Sequence, residues 1–258
     1  MPELPEVETI VRSMRPRLVG RHINSVEVLH PRIVRYSKLD VPTHAAGRKI
    51  LDILRHGKFI LLVLDSGFVT IHLGMTGQVL FDSSVTKWTR AIFSLDDATM
   101  LYDDIRMFGS IEYSAEMDRT TRLGPDALTL DEASLALRRR APIKAVLLNQ
   151  SVFAGVGNIY ADESLFRAGI HPRRRADRLS KARASNLLTI VKEVLAEAVA
   201  HRGSSLSDYV DTEGRKGSFQ TLHRVYGREG EPCPACGEPI RKTVVAQRGT
   251  HYCPKCQR

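Results

Sequence analysis

Apolar residues near the start of the chain recur at the spacing of an α-helix. Intervals of three and four residues connect Leu4, Val7, Val11, Met14 and Leu18. This spacing predicts an amphipathic helix over residues 3–18. Pro5 suits its first turn, where a missing N–H costs no hydrogen bond. The acidic side chains of Glu3, Glu6 and Glu8 lie at the positive end of the helix dipole, which they stabilise.

Six short segments between residues 22 and 115 have the composition of β-strands. They are rich in β-branched or aromatic residues, are bounded by Gly, Asp, Ser and Asn, and read INSVEV, KFILLVL, FVTIHL, QVLF, AIFSL and SIEYS. No long helical pattern separates them. Strands that follow one another in this way predict an antiparallel β-sandwich.

A linker predicted at residues 123–134, LGPDALTLDEAS, leads into a helical pattern that continues to about residue 202. Pro125 ends any earlier element, and Thr129 or Asp131 is a candidate N-cap for the next helix.

The clearest helix is predicted within SKARASNLLTIVKEVLAEAVAHRG. Ser180 is its candidate N-cap, and Gly203 follows it as a stop signal. One apolar face comprises Leu187, Leu188, Val191, Val194, Leu195 and Val199. Residues 211–220, DTEGRKGSFQ, are polar and contain two glycines, which predicts a mobile loop.

The charge balance of the 258-residue chain suits a polyanionic partner. Its formal net charge is +9 and its isoelectric point is about 9.6, which favours nucleic acid, although a basic surface on an ordinary globular protein gives the same numbers. No stretch reaches the ~18 consecutive apolar residues of a membrane helix. The acidic, proline-bearing start does not resemble a secretory signal, so a cytoplasmic protein is expected.

All four cysteines lie near the end of the chain, in two CxxC pairs separated by 16 residues: Cys233, Cys236, Cys253 and Cys256. This spacing predicts one structural zinc ion with four thiolate ligands and no open coordination position. The intervening IRKTVVAQRGTHY predicts a hairpin with Gln247, Arg248 and Gly249 at its tip. Arg248 is then either held toward a phosphate or simply solvated.

Residues 143–170 predict two helices on either side of the segment AGVGN. A glycine-rich turn before a helix leaves backbone N–H groups available for a phosphate. Asn158 is a candidate either to cap that helix or to bind a phosphate through its amide. The arginine-rich RRRAPIK and HPRRRADR add positive charge on both sides, although an ordinary helical hairpin also fits the pattern.

Two short stretches, HLGMTG and DIRMFG, place large side chains beside a glycine after predicted strands. Proteins that open duplex DNA insert apolar wedges and arginines into the base stack. Met75, Arg106 and Phe108 suit that role, but core packing with a surface arginine also accounts for them. Lys58, after a glycine turn in HGKFILLVL, is a candidate to reach a phosphate or a reaction centre; a solvated turn lysine is the alternative.

Together these segments resemble the formamidopyrimidine-DNA glycosylase (Fpg) family of bifunctional base-excision repair enzymes. The resemblance covers the whole chain and depends on PELPEVET, HGKFILLVL, HLGMTG, DIRMFG, GVGNIYADESLFRAGIHP, VYGREGEPCPACGEPI and AQRGTHYCPKCQR, in this order. The chain departs from the family pattern at Ser151, where some members have lysine, and at Ile105, where proline is common.

The resemblance implies an α+β multidomain protein. We expect an N-terminal helix and antiparallel β-sandwich at residues 1–122, a helix–two-turn–helix domain with a lesion-covering loop at 123–220, and a four-cysteine zinc finger at 221–258. The expected cofactor is one structural Zn²⁺. The expected partner is damaged double-stranded DNA, bound by a monomer with no membrane partner.

The resemblance also assigns roles to single residues. Pro2, exposed by removal of Met1, would be the nucleophile, with Glu3 as its proton-transfer partner and Lys58 beside the reaction centre. Attack on the sugar C1′ would expel an oxidised purine and give a cationic iminium, from which β- and δ-elimination follow. The resemblance also implies residues that contact DNA, by filling the gap or by binding phosphates: His72, Met75, Arg106, Phe108, Asn158 and Arg248. Arg248 belongs to the implied catalytic residues as well.

Other assignments remain open from sequence. An endonuclease VIII-like enzyme shares the nucleophile but prefers oxidised pyrimidines; PELPEVET and DTEGRKGSFQ favour the purine branch. A non-enzymatic zinc-finger DNA-binding protein would lack Pro2, Glu3 or Lys58, and all three are present. A ribosome-associated zinc-ribbon protein would explain the charge and cysteines, but not the first six residues.

Overall fold

A computed structural model describes residues 2–116, 120–130, 137, 139–206 and 209–258. The chain divides into two compact units. The first comprises Met1–Arg122 and His201–Ser218, and the second comprises Leu123–Ala200 and Phe219–Arg258. The candidate Asp131 cap lies outside the described residues.

The first unit contains an N-terminal helix and two antiparallel sheets of four strands each. Its helices are α1 (Leu4–Leu18) and the short α2 (Val41–Ala45), with a 3₁₀ turn at Pro31–Val34. The eight strands are β1 (Ile23–Val28), β2 (Ile50–His56), β3 (Phe59–Leu64), β4 (Phe68–His72), β5 (Gly77–Phe81), β6 (Thr89–Leu95), β7 (Thr99–Asp104) and β8 (Ser110–Ser114). The strand orders are β1–β6–β7–β5 and β2–β3–β4–β8.

One hydrophobic core joins α1 to both sheets. The apolar face predicted for α1 is buried, and Val7, Met14 and Leu18 have no solvent exposure. Each such side chain contributes about 1.5–3 kcal/mol through removal from water. This burial fixes α1, and with it the first residues of the chain, against the sandwich.

Six strands coincide with the predicted segments. Strand β2 was not predicted, and β7 was predicted only as the strand that DIRMFG ends, without a segment of its own. In β2, Ile50, Ile53 and Leu54 recur at intervals of three and four rather than in alternation. Strand β7 ends on Asp103 and Asp104, and aspartate is depleted in strands. Both strands form because neighbouring strands supply their partners.

The second unit contains α3 (Ile143–Leu148), α4 (Asn158–Arg167), α5 (Lys181–Ala200) and the hairpin β9 (Arg241–Val245) with β10 (Arg248–Tyr252). Ser180 precedes α5 as predicted, and its Oγ accepts the Arg183 N–H at 3.3 Å. Among the described residues, no helix is both long enough and apolar enough to cross a bilayer.

The turn of the hairpin differs by one residue from the prediction. Ala246 and Gln247 form it, with φ of 50° and 58°. Two successive positive φ values match the twist of a tight two-residue hairpin turn. Arg248 therefore opens strand β10, where it pairs with Val245, instead of occupying the turn itself.

Candidate active site

The first residues of the chain are buried and held in place by a carboxylate. Pro2, Glu3 and Glu6 are all buried. Oε2 of Glu6 accepts the Glu3 N–H at 2.7 Å, as part of a capping box at the start of α1. The other oxygen of Glu6 accepts the Ser204 N–H at 2.7 Å. Glu6 thus does more than stabilise the helix dipole, because it fixes the backbone next to Pro2.

The backbone around residue 203 is shaped to receive the Glu6 carboxylate. Gly203 has φ of +78°, and a Cβ there would lie 2.4 Å from Oε1 of Glu6. The Tyr209 hydroxyl donates to the backbone oxygen of Glu6 at 3.3 Å. Burial, together with the nearby Glu6 charge, raises the pKa of Tyr209, so its hydroxyl stays a donor.

Lys58 and His72 lie at the same edge of the second sheet. Lys58 belongs to the two-residue turn that joins β2 to β3, and only 8% of its surface is exposed. The next residue, Phe59, pairs with His72 on β4, and their ring centroids are 4.7 Å apart. Nδ1 of His72 is placed to accept the Gly74 N–H at 3.3 Å, so the neutral ring carries its proton on Nε2. Lys58 is therefore not a solvated turn residue.

The three candidate gap-filling side chains form one exposed cluster. Met75 is 39% exposed and Phe108 is 44% exposed, which excludes the core-packing interpretation for both. Nη1 of Arg106 lies 3.4 Å from Sδ of Met75. The Arg106 guanidinium also stands over the Phe108 ring, 5.1 Å from its centroid.

A buried aspartate, Asp104, holds the backbone around this cluster in place. Sequence reasoning did not identify it. Asp104 has no solvent exposure, and its carboxylate accepts Thr76 Oγ1 at 2.6 Å and the Gly109 N–H at 2.8 Å. Oγ1 of Thr76 in turn accepts the Arg106 N–H at 3.0 Å. The loops that carry Met75 and Phe108 are thus joined through Asp104.

Arg35 fastens the outer side of the same loop. Its guanidinium donates to the Met107 oxygen at 3.1 Å and to the Phe108 oxygen at 3.3 Å. Met107 has φ of 52°, a conformation that costs energy for a residue with a side chain. The Arg35 hydrogen bonds stabilise that conformation.

In the second unit, Asn158 and Arg248 come from segments that contact each other. Asn158 is the first residue of α4, after the N-cap Gly157, so it does not cap the helix. Its Nδ2 donates to the oxygen of Gly249, next to Arg248, at 3.0 Å. Oδ1 of Asn158 is buried and has no hydrogen-bond partner among the described residues. The Arg248 side chain is exposed.

Two of the basic residues that flank AGVGN in the sequence have partners within the fold. Lys144 is fully buried beside Asp162, with Nζ 2.6 Å from Oδ1. Arg173 donates to Thr243 Oγ1 at 2.6 Å and to the Val244 oxygen at 3.2 Å. The charge counted from sequence around AGVGN is therefore partly internal to the fold.

The four cysteines form a cluster of the dimensions that zinc requires. Their Sγ atoms all lie within 4.8 Å of one another, and none of the four forms a disulfide. Separations of 3.5 Å for Cys236–Cys253 and 3.9 Å for Cys233–Cys256 compare with about 3.8 Å in a tetrahedron of Zn–S bonds of ~2.3 Å. In the part of the chain that the structure describes, no further ligand joins the four thiolates, which makes the site structural.

A buried glutamate on α4 anchors the segment that leads into the zinc finger. Glu163 on α4 accepts backbone N–H groups from Arg224, Val225 and Tyr226 at 2.9–3.0 Å. No sequence pattern indicates this role, because the partners are some 60 residues away along the chain.

Comparison with known proteins extends these observations over the full chain. Residues 1–111 match the formamidopyrimidine-DNA glycosylase N-terminal domain, 123–210 its H2TH domain, and 230–258 the zinc finger found in FPG and IleRS. The chain is 52% identical to a formamidopyrimidine-DNA glycosylase of Solibacter usitatus over 264 residues, covering 100% of both.

Solved structures give the same result. The crystal structure of the MutM (Fpg) protein from Thermus thermophilus is 45% identical, with a TM-score of 0.90 over 99% of this chain and 98% of that one. A Lactococcus lactis Fpg variant in complex with Fapy-dG-containing DNA is 34% identical, with a TM-score of 0.91 and complete coverage of both chains. The chain belongs to the formamidopyrimidine-DNA glycosylase family.

Proposed function

We propose that this protein removes oxidised purines, 8-oxoguanine and formamidopyrimidines, from duplex DNA and then cleaves the abasic site. It is a DNA glycosylase and an abasic-site lyase. The observation that carries the proposal is the buried Pro2–Glu3 terminus, which Glu6 holds by its backbone. The relatives named formamidopyrimidine-DNA glycosylase are bacterial. Because bacterial chromosomal DNA lies in the cytoplasm, we place the protein there.

Pro2 is the proposed nucleophile. Once Met1 is removed, its neutral secondary amine attacks C1′ of the damaged nucleotide. An N–C1′ bond forms, the glycosidic bond breaks, and the base leaves with the proton of the amine. The C1′–O4′ bond of the sugar then breaks, Glu3 delivers a proton to O4′, and the nitrogen lone pair forms the C1′=N double bond. The product is an iminium, which keeps its positive charge because a secondary amine cannot form a neutral imine. This is covalent catalysis by an amine.

The charged iminium makes the sugar acidic at the adjacent carbon. Loss of a proton from C2′ expels the 3′ phosphate, and loss of a second proton from C4′ expels the 5′ phosphate. Glu3 is the proposed proton carrier, since it is the residue next to the nucleophile. Glu6 is a positioning residue, because its oxygens are engaged by the Glu3 and Ser204 N–H groups.

Lys58 and His72 are the proposed phosphate and base contacts of the first unit. Their shared sheet edge supports this, because Phe59 and His72 are cross-strand partners. Met75, Arg106 and Phe108 would fill the gap left by the extruded nucleotide. Their exposure and mutual contact support that role.

Asn158 and Arg248 are the proposed phosphate ligands of the second unit. The Asn158–Gly249 hydrogen bond joins the glycine-rich turn to the hairpin that carries Arg248. Zinc, when bound, crosslinks the two CxxC turns and holds that hairpin rigid. Arg248 then meets DNA without the cost of ordering its backbone.

The experiment that tests the function compares three duplexes with one lesion each: 8-oxoguanine, formamidopyrimidine and thymine glycol. Single-turnover release of both purines should be at least about tenfold faster than release of thymine glycol. The reverse order would assign the protein to the endonuclease VIII-like class. Binding without release of any base would support the non-enzymatic alternative.

A further inference from the structure

Asp211 is buried in the middle of the most polar loop of the chain. Only 1% of its surface is exposed, although Glu213, Gly214, Arg215 and Lys216 are all exposed. Oδ1 accepts the N–H groups of Glu213 and Arg215, both at 2.9 Å. Oδ2 accepts Nη2 of Arg202 at 2.5 Å and Nε of Arg215 at 3.3 Å. The carboxylate thus satisfies four donors.

Backbone hydrogen bonds close the same turn. The Asp211 N–H donates to the Arg215 oxygen at 2.9 Å, and the Gly214 N–H donates to the Asp211 oxygen at 3.0 Å. Gly214 has φ of +74°, which its missing side chain permits. Side chain and backbone of Asp211 therefore specify one conformation for residues 211–215.

Both flanks of this turn make further contacts within the first unit. Thr212, also buried, donates from Oγ1 to Ser13 Oγ on α1 at 2.8 Å. The Gly217 N–H donates to Ser205 Oγ at 2.9 Å. A Cβ on Gly217 would lie 2.2 Å from the oxygen of Gly203, the residue that packs on Glu6. Residues 211–217 are thereby connected to the Pro2–Glu3 terminus.

We propose that Asp211 is a positioning residue that holds residues 211–217 in their folded place before DNA arrives. This rests on the proposed function and on the family resemblance, which implies that residues 211–220 form the loop that folds over the extruded lesion. Ordering a loop on binding costs conformational entropy, and a segment that is already ordered avoids that cost. The polar composition alone predicts a mobile loop. The four hydrogen bonds to the buried Asp211 carboxylate instead hold these residues in one conformation.

The first test uses the free zinc-loaded protein and needs no activity. Trypsin cleaves after Arg215 and Lys216, and mass spectrometry identifies those two cuts among all others. Asp211→Asn removes the charge and one acceptor, so cleavage there should be at least tenfold faster than in the wild type. Glu213→Gln makes the same chemical change in the same turn, but it removes only an exposed ion pair with Arg215, so cleavage should stay within about twofold of the wild-type rate.

Equal cleavage in wild type and Asp211→Asn would overturn the proposal. So would equal acceleration in Asp211→Asn and Glu213→Gln. Arg202→Met, which removes the Arg202 hydrogen bond to the carboxylate, takes the place of Asp211→Asn if that variant does not fold.

The second test separates the segment from the chemistry. Asp211→Asn should release 8-oxoguanine about tenfold more slowly at subsaturating DNA, yet cleave a preformed abasic site, which has no base to cover, within about twofold of wild type. Equal losses in both reactions would mean a general structural defect and would overturn the proposal. An inactive wild type would instead contradict the proposed function, and the proteolysis result would still decide the role of Asp211.

Discussion

The Lys144 ammonium lies 2.6 Å from Oδ1 of Asp162, and both side chains are fully buried. Lys144 also donates to Thr250 Oγ1 at 2.8 Å and to the Gly249 oxygen at 3.1 Å. Oδ2 of Asp162 accepts the His251 N–H at 2.8 Å. One ion pair thus connects α3 and α4 to strand β10, the strand that begins with Arg248.

Removal of one partner should leave the other charge buried and unpaired. Lys144→Met should therefore lower the free energy of unfolding by about 3–5 kcal/mol. Urea denaturation of the zinc-loaded protein measures this difference. Lys242→Met is the matched control, because Lys242 pairs with Glu229 at 3.4 Å on the surface. It should cost at most about 1 kcal/mol. Equal losses in both variants would contradict the role of the buried pair.

Glu6→Gln tests the anchoring of the N-terminus. A glutamine offers one acceptor where Glu6 accepts two N–H groups, so its amide nitrogen must face the N–H of either Glu3 or Ser204. The unsatisfied group should cost about 1–3 kcal/mol of stability. Thermal unfolding measures it, with Glu27→Gln on the exposed side of β1 as the control. A Glu6→Gln protein as stable as the control would show that the two hydrogen bonds are unimportant.

Zinc removal tests the hairpin as a DNA contact. A chelator, or Cys253→Ser, should weaken binding to abasic duplex DNA because Arg248 loses its fixed position. In the zinc-loaded protein, Arg248→Ala should reduce the slope of log affinity against log salt by about one. Arg241→Ala, at an exposed position of β9, is the control. Unchanged affinity after chelation would exclude the finger from the DNA contact.

His223 gives the second unit a dependence on pH. Its ring packs edge-on against Phe219 and Tyr226. Burial lowers its pKa to about 4, against a smaller opposite effect of the Tyr226 backbone. In the unfolded chain the His223 ring binds a proton near pH 6.5, whereas in the folded protein it does so only near pH 4. The contribution of the neutral ring to the free energy of unfolding is therefore complete above pH 6.5 and is lost as the pH falls toward 4.

At pH 5 this loss should amount to about 2 kcal/mol relative to pH 7.5. His223→Phe keeps an aromatic ring without a titrating group. Between pH 7.5 and pH 5, its free energy of unfolding should therefore fall by about 2 kcal/mol less than that of the wild type. Urea unfolding of both proteins at the two pH values measures the difference, in which effects common to both cancel. Parallel pH profiles would contradict the assignment.

The sequence predicted those features whose causes are local. The spacing of apolar residues predicts α1, Ser180 marks the start of α5, and the CxxC spacing predicts the zinc site. For Glu6 the sequence predicts only that it stabilises the helix dipole. Its hydrogen bond to Ser204 joins residues 198 positions apart, so no local pattern indicates it.

The supporting acids were missed for the same reason. Asp104, Asp162 and Glu163 all look like ordinary surface residues in the sequence. Each is buried, and its side-chain charge is satisfied by partners that only the fold brings to it. Burial of a charged group requires such partners. The catalytic roles of Pro2 and Glu3 came from the family resemblance and remain proposals.

The most direct measurement of the central claim is borohydride trapping on 8-oxoguanine duplex DNA, with peptide mapping of the adduct. Processed wild-type protein should form a stable covalent adduct located on Pro2, and Pro2→Gly should lose most of it. A protein that releases 8-oxoguanine but forms no adduct, or forms it on a lysine, would contradict the N-terminal proline mechanism.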